Sequence, residues 1–363
     1  MCQQIGGPNM KNSKGPLRIS WQRVSLSILC VLLALVLFVM LFATAYIHHL
    51  LSLVTSNNNN DLTATIDPTA TIPPDDDHDP DFTGPTAHPS DVPVNTIPSQ
   101  PVENLQTEGI INIMLIGEDR RPGQGRQRSD SMILCSFNTK SNTLTMISFL
   151  RDTYIPQIPG YKAEKLNAAY AKGGVNMLDQ TLAAYFGVHV DANIAVQFDG
   201  FKTIIDLLGG VDIELTKKEV NHLRENAGIY GDSWNLKVGM NHLNGEQALA
   251  YSRIRKIDMD AMRAQRQRKV LTAIINAYKS KPVGEMLSLA SQILQMGVVQ
   301  TDMTSGEVLS YVSTLFPMLA TATINSQQIP AENTYTSMTV GSISATKVCD
   351  FEVNRKILQN ILQ

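Results

Sequence analysis

The feature that most constrains this chain is an uncharged run of apolar residues at positions 24–47. The run is rich in Leu and Val and has about the length that an α-helix needs to cross a bilayer. A cleaved signal peptide has a shorter apolar core and a small-residue cleavage site. Residues 1–23 carry basic side chains and no acid, and the positive flank of such a helix stays in the cytoplasm. We therefore expect an uncleaved signal anchor at 24–47, with 1–23 cytoplasmic and the rest of the chain extracellular.

A polar segment follows the apolar run at residues 48–108. It is dominated by Asn, Thr, Asp and Pro and contains no Lys or Arg. A segment of this composition has too few apolar residues to form a hydrophobic core, so we predict a disordered linker. The acidic group around His78 could be taken for a metal site, but a solvated acidic spacer is the simpler interpretation.

Strand-like and helix-like runs alternate through residues 109–363. Strands are predicted at 110–117, 131–139, 143–150, 193–198, 211–215, 324–329 and 337–341, and helices at 177–187, 200–210, 244–253, 260–278, 284–296, 304–320 and 351–362. This alternation predicts an α/β domain with helices flanking a central sheet. Of the four cysteines, only Cys135 and Cys349 could pair, and the sequence does not decide whether they do.

One predicted helix carries charged residues on a face that becomes apolar further along. Helical spacing from Asp260 places Arg263, Gln267 and Leu271 on one side, and the apolar half predicts that this side is buried. Buried charge is costly unless it is paired or meets a charged ligand. Two interpretations stay open. One is an ion pair of Asp260 with Arg263 or Arg255, and the other is an anion site, because arginine forks match phosphate oxygens.

Further charged residues follow the predicted strands, where α/β proteins place their ligands. They are Asp119, Arg120, Arg121, Arg126, Arg128 and Asp130, then Arg151 and Asp152, and then Lys165. Each Arg–Asp pair taken singly is also consistent with a surface salt bridge. Together, carboxylates among arginines suit a phosphate ester bound with Mg²⁺, which takes one or two carboxylates and bridges phosphate oxygens. Asp119 and Asp130 are the natural pair of metal ligands.

Several other classes of function lack support. The chain contains no Walker A sequence and no GxGxxG, so nucleotide binding is not indicated. The basic residues are too local and too mixed with acids for a nucleic-acid surface, and the net charge is −3.

At these charged positions the sequence resembles the LytR-CpsA-Psr family of bacterial wall-polymer ligases, over roughly residues 110–277. The resemblance rests on LIGEDRR, GRQRSD, SFLRDTYIPQIPG, KLNAAYAKGG, FDGFKTIIDLLGGVDI and LNGEQALAYSRIR, followed by DxxRxxRQ. The departures are Leu150, where the family usually has proline, and Ala261 and Met262, which replace Phe-Gly. None of them is at a charged position.

The resemblance implies a mixed sheet between helices and an apolar cavity for a prenyl chain. It implies a phosphotransferase that moves a glycopolymer from a polyprenyl-pyrophosphate carrier onto peptidoglycan, with the single-pass anchor in the cell membrane. A polyprenyl-pyrophosphate hydrolase and a non-catalytic, membrane-anchored lipid-binding regulator remain alternatives. The polymer, whether teichoic acid, capsule or another glycan, stays open.

The resemblance also assigns roles to residues. Asp119 and Asp130 correspond to the Mg²⁺-associated acids, and the pyrophosphate-binding set corresponds to Arg121, Arg128, Arg151, Lys165, Arg253, Arg255, Arg263 and Gln267. Asp260 is the candidate general base. Asp152 is the second choice for that role and could instead orient Arg151.

Overall fold

The computed structural model describes Ser52 and residues 62–65, 82–92, 104–118, 125–225, 234–255, 257–258 and 260–363. The predicted anchor at 24–47 and the predicted site residues Asp119 and Arg121 lie outside these ranges. Within the described ranges, no helix is both long enough and apolar enough to cross a membrane.

A mixed six-stranded sheet forms the centre of the domain. In sheet order its strands are β10 (Val299–Thr301), β7 (Ala192–Gln197), β2 (Ile110–Glu118), β3 (Ser129–Asn138), β4 (Thr143–Phe149) and β11 (Thr323–Ile329). β2 is parallel to β7, and β4 is parallel to β11, whereas β3 is antiparallel to both β2 and β4. The carboxyl ends of β2 and β4 therefore lie at the same edge of the sheet as the beginning of β3.

Helices cover both faces of this sheet. Those in the described ranges are α1 (Asn167–Phe186), α2 (Phe198–Leu207), α3 (Lys217–Glu225), α4 (Gly245–Arg253), α5 (Asp260–Lys279), α6 (Val283–Gln295), α7 (Ser305–Thr321) and α8 (Phe351–Leu362). Successive residues of β3 point to opposite faces. Met132 and Leu134 pack with α1 and α8, whereas Ile133 and Cys135 pack with α5 and α7. The predicted α/β architecture, a mixed sheet flanked by helices, is confirmed.

A third apolar cluster lies in the region that carries the charged helix. It includes residues of the hairpin β8 (Val211–Leu215) and β9 (Gly239–Leu243), together with α2 to α5. α4 begins after Asn244, whose side chain accepts a hydrogen bond from the backbone N–H of Gln247 and completes a capping box. The predicted start of this helix is therefore confirmed.

The structure differs from the prediction in α1, which begins at Asn167 instead of near residue 177. Gly173 and Gly174 interrupt it with non-helical backbone, and this pair made the first half of the helix hard to predict. Gly174 has φ +63°, and a Cβ there would lie 2.0 Å from the carbonyl oxygen of Leu62. Glycine thus permits both the backbone turn and the close approach of an upstream segment.

Two parts of the predicted linker pack against the domain. Strand β1 (Thr86–Ala87) pairs in parallel with β12 (Tyr335–Val340), which pairs in turn with β13 (Ile343–Cys349). Leu62 and Val92 are buried in separate apolar clusters of the domain. Composition argued against a core within this segment, but it could not show that single apolar residues dock onto a core built elsewhere.

The two cysteines of the domain do not form a disulfide. Cys135 belongs to the cluster on the α5 and α7 side of the sheet, and Cys349 belongs to the cluster on the α1 and α8 side. Burial raises the pKa of each thiol to about 12, so both remain protonated at neutral pH.

A buried ion network fixes the connection between α4 and α5. Arg266 Nε donates to Glu219 Oε1 at 2.8 Å, and its Nη1 donates to Asp258 Oδ1 at 3.0 Å and to the Ile254 carbonyl at 3.1 Å. Glu219 also accepts hydrogen bonds from the backbone N–H and hydroxyl of Thr216. Arg266 and Glu219 are both buried, so each charge depends on the other for compensation.

Replacing Arg266 with Met is expected to lower the free energy of unfolding by about 3–5 kcal/mol, because it leaves a buried carboxylate uncompensated. Chemical denaturation measures this change. Lys356→Met is the matched control, since the Lys356 side chain is exposed and pairs with Glu352 on the surface. A loss for Arg266→Met no larger than that of the control would contradict the structural role of the network.

Candidate active site

Three charged residues from separate elements meet at the sheet edge where β2 and β4 end. Asp130 lies at the beginning of β3, Arg151 follows β4, and Arg263 lies in the first turn of α5. Arg151 Nη1 donates to Asp130 Oδ1 at 2.8 Å, and Arg263 Nη2 lies 3.3 Å from the same oxygen. The structure therefore brings the charged strand ends and the charged helix face into one site.

Asp130 is a buried carboxylate surrounded by positive charge. Burial alone would raise its pKa, but the charges of Arg263, Arg151 and Arg255 outweigh that effect and hold the pKa of Asp130 below its ordinary value. Its side chain is 13% exposed, and those of Arg151 and Arg263 are 5% and 4% exposed. Three cations thus act on one carboxylate in a site with little access to water.

Asp152 lies in a second group of charges beside the first. Its carboxylate is 3.0 Å from Lys165 Nζ and 3.6 Å from Arg151 Nε. Burial would raise the pKa of Asp152, but Arg151, Lys165 and Lys347 together hold it far below its usual range. The ion pairs of Asp152 with Lys165 and Arg151 are the geometry expected if Asp152 orients Arg151.

Arg128 and Lys165 border this second group. Arg128 Nη1 lies 3.4 Å from Asn167 Oδ1, and its Nη2 lies 3.5 Å from Glu164 Oε2. Lys165 is paired with Asp152 and is almost fully buried. Lys165 is linked to Arg151 through Asp152, and Arg128 is linked to it through Asn167, whose backbone N–H donates to the Arg151 carbonyl at 3.2 Å.

An apolar cavity of about 220 Å³ opens beside the charged site. Its walls include Ile133, Val196, Phe201, Ile204, Leu271 and Ile274. Asp130, Arg253, Arg263 and Gln267 line the same cavity, and the Arg253 guanidinium lies 4.7 Å from the centre of the Phe198 ring. One face of α5 thus supplies both polar and apolar lining, as its residue spacing predicted. The apolar cavity that the family resemblance implied is present.

A much smaller cavity lies between β4 and α5. Its volume is about 10 Å³, which is enough for one water molecule. Polar side chains of Asp130, Ser148, Arg151, Arg263 and Gln267 line it. A single oxygen atom can therefore be enclosed beside the paired arginines.

Some predicted site residues are not located by the structure. Asp119 and Arg121 lie outside the described residues, and of Asp260 only the backbone, at the start of α5, is described. The carboxylate that the structure does locate beside Arg263 is that of Asp130. Within the described residues, no group of three His, Cys, Asp or Glu side chains could hold a metal ion.

The sequence did not single out three residues near the site. Lys347 lies on β13, where we predicted no strand, and its backbone N–H donates to the Asp152 carbonyl at 2.8 Å. Arg268 is one of several basic residues on α5, and only its contact with Ser148 distinguishes it from its neighbours. Ser148 lacked the context of a catalytic nucleophile, and its position in the small cavity depends on tertiary packing.

Comparison with known proteins relates this architecture to one family. The model of the LytR_cpsA_psr family matches residues 86–356. The polyisoprenyl-teichoic acid–peptidoglycan teichoic acid transferase TagU of Bacillus anthracis is 34% identical over 207 residues, which are 55% of this chain and 65% of TagU. The match thus spans less than two thirds of the length of this curated relative.

Two solved structures share the fold. The crystal structure of B. subtilis TagV is 28% identical, has a TM-score of 0.55, and aligns over 70% of this chain and 98% of TagV. The family protein YwtF (TagT) with bound octaprenyl pyrophosphate lipid is 24% identical, has a TM-score of 0.52, and aligns over 70% of this chain and 91% of that one. Because the family model covers most of the chain and the folds agree, the protein belongs to the LytR_cpsA_psr family.

Proposed function

We propose that this protein is a phosphotransferase that moves a glycopolymer from a polyprenyl-pyrophosphate carrier onto peptidoglycan. The observation that carries this proposal is the junction of the apolar cavity with the buried arginines Arg151 and Arg263 around Asp130. A prenyl pyrophosphate has the matching division into a long apolar chain and a compact anion. The name of TagU, a teichoic acid transferase acting on peptidoglycan, supports the same assignment.

The charge balance of the site suits a pyrophosphate diester. Arg151, Arg255 and Arg263 all act on Asp130, which supplies one negative charge in return. A pyrophosphate diester carries two negative charges, which suits a site where arginines outnumber the carboxylate that they share. Because Arg151 and Arg263 are buried, their interaction with phosphate oxygens would be weakly screened by water.

The proposed reaction exchanges the phosphoanhydride bond of the carrier for a phosphate ester bond to peptidoglycan. The oxygen of a peptidoglycan sugar hydroxyl attacks the phosphorus that carries the glycopolymer, and the bond from that phosphorus to the bridging oxygen breaks. Polyprenyl phosphate leaves with the bond electrons, and the hydroxyl proton passes to a base. We assign the base role to Asp260 at the start of α5, and we assign stabilisation of the developing charge to Arg151 and Arg263.

We further propose that Mg²⁺ is the cofactor and that Asp119 and Asp130 hold it. Asp130 is ionised and buried next to the anion site, which fits a cation that keeps some water and bridges phosphate oxygens. When bound, Mg²⁺ would neutralise oxygens of the transferred phosphate group.

The direct test of the function is an assay of covalent transfer. The protein is incubated with Mg²⁺, peptidoglycan and a synthetic polyprenyl-pyrophosphate-linked teichoic acid, and polymer bound to peptidoglycan is measured. The proposal predicts polymer on peptidoglycan together with an equivalent amount of polyprenyl phosphate. Release of free polymer without transfer would instead identify a hydrolase, and binding without any reaction would identify a regulator.

Asp260→Asn and Arg263→Ala are expected to separate chemistry from binding. Loss of a general base should lower the single-turnover transfer rate by about 10²–10⁴-fold with little change in lipid affinity. Arg263→Ala should weaken both lipid binding and transfer, and Arg263→Lys should restore them poorly because lysine lacks the bidentate fork. Arg355→Ala, on the distant helix α8, is the matched control. Parallel losses of affinity and rate in Asp260→Asn would exclude Asp260 as the base.

The Mg²⁺ proposal is tested by the metal dependence of transfer. Asp119→Asn is expected to raise the Mg²⁺ concentration needed for half-maximal transfer, because one ligand charge is lost. Full transfer by the wild-type protein in excess chelator would contradict the proposal.

The proposal also places the domain outside the cell membrane, with residues 24–47 as its anchor. The basic flank at 1–23 is the sequence feature that supports this orientation. A reporter fused after Gln363 is expected to be active only if it is of a kind that works outside the membrane. Activity of a reporter that works only in the cytoplasm would show the opposite orientation.

A further inference from the structure

Ser148 and Arg268 form a buried hydrogen-bonded pair beneath the charged site. Arg268, on α5, donates from Nη1 to Ser148 Oγ at 2.7 Å. Ser148, near the end of β4, is 3% exposed, and Arg268 is 7% exposed. Ser148 also lines the small cavity that contains Asp130, Arg151 and Arg263. The pair therefore links the interior of the domain to the place where the arginines converge.

Arg268 has no carboxylate partner among the described residues. Arg266, two positions earlier, is bound by Glu219 and Asp258, but the contact of the Arg268 guanidinium within the described ranges is with a neutral hydroxyl. Burial lowers the pKa of Arg268 to about 10, so it still carries its charge at neutral pH. A buried charge without a counter-ion is costly, and an apolar residue could fill the same space.

The direction of this hydrogen bond determines what Ser148 can do. A serine hydroxyl accepts through its lone pairs and donates through one hydrogen. Because Arg268 has only donors, Ser148 Oγ must be the acceptor, and its own hydrogen is left to point elsewhere. Among the described residues, the hydrogen bond of Ser148 Oγ is the one it accepts from Arg268, and the cavity beside it is lined by Asp130 and Gln267 as well as by Arg151 and Arg263. An anion held by these arginines would supply the acceptor.

We propose that Ser148 donates a hydrogen bond to a non-bridging phosphate oxygen of the pyrophosphate, and that Arg268 is the positioning residue that orients it. The inference rests on the proposed function and names an additional contact at the same site. An uncharged donor beside two arginines would help to fix the position of one oxygen, which the arginines alone attract from several directions.

The test measures binding of farnesyl pyrophosphate by calorimetry and thermal stability of the same variants. Ser148→Ala and Arg268→Met are each expected to weaken binding by about 10-fold, the usual effect of losing a hydrogen bond to a charged group. The double variant should bind no more weakly than Ser148→Ala, because Arg268 acts through Ser148. Ser148→Thr, which keeps the hydroxyl, should bind like the wild type. Ser136→Ala is the matched control, a buried serine on β3 towards the opposite end of the strand.

Thermal stability separates this role from a structural one. Removing a buried, uncompensated charge should leave the melting temperature of Arg268→Met unchanged or higher while affinity falls. A lower melting temperature with unchanged affinity would show that Arg268 is structural and would overturn the inference. Wild-type affinity in Ser148→Ala would also overturn it while leaving the proposed function intact. Failure of the wild-type protein to bind farnesyl pyrophosphate would reject both.

Discussion

The structure of the site depends on the interaction of one carboxylate, Asp130, with two arginines from different elements. Arg151 comes from the end of β4 and Arg263 from the start of α5, so their shared contact joins the sheet to the helix at the site. The same contact keeps the arginines together in spite of their mutual repulsion. It leaves an excess of positive charge in a region with little water, and such a region is stabilised by an anion.

The apolar cavity would make the site selective for an amphipathic anion. Free phosphate or pyrophosphate could satisfy the arginines, but only an amphipathic ligand would also fill the space along Leu271 and Ile274. Both parts of the site are built on α5, one face of which is polar near the start of the helix and apolar further along. A rigid helix would thus fix the distance between the lipid chain and the pyrophosphate group of the proposed ligand.

The sequence predicted this arrangement unevenly, for physical reasons. The burial of Arg263 followed from its helical spacing with Leu271, and the clustering at strand ends followed from α/β topology. Neither pattern could show that Asp130, and not Asp152, would join Arg151 to Arg263, because that depends on the register of β3 against β4. Lys347 and the Ser148–Arg268 pair are contacts between distant segments with no local signal. The docking of β1 on β12 was missed for the same reason.

The most direct test of this account is a crystal structure of the protein with a bound prenyl pyrophosphate. The account predicts that phosphate oxygens contact Arg151 and Arg263 while the prenyl chain lies in the cavity beside Ile133 and Ile274. A pyrophosphate bound away from these arginines, or a prenyl chain outside the cavity, would contradict it.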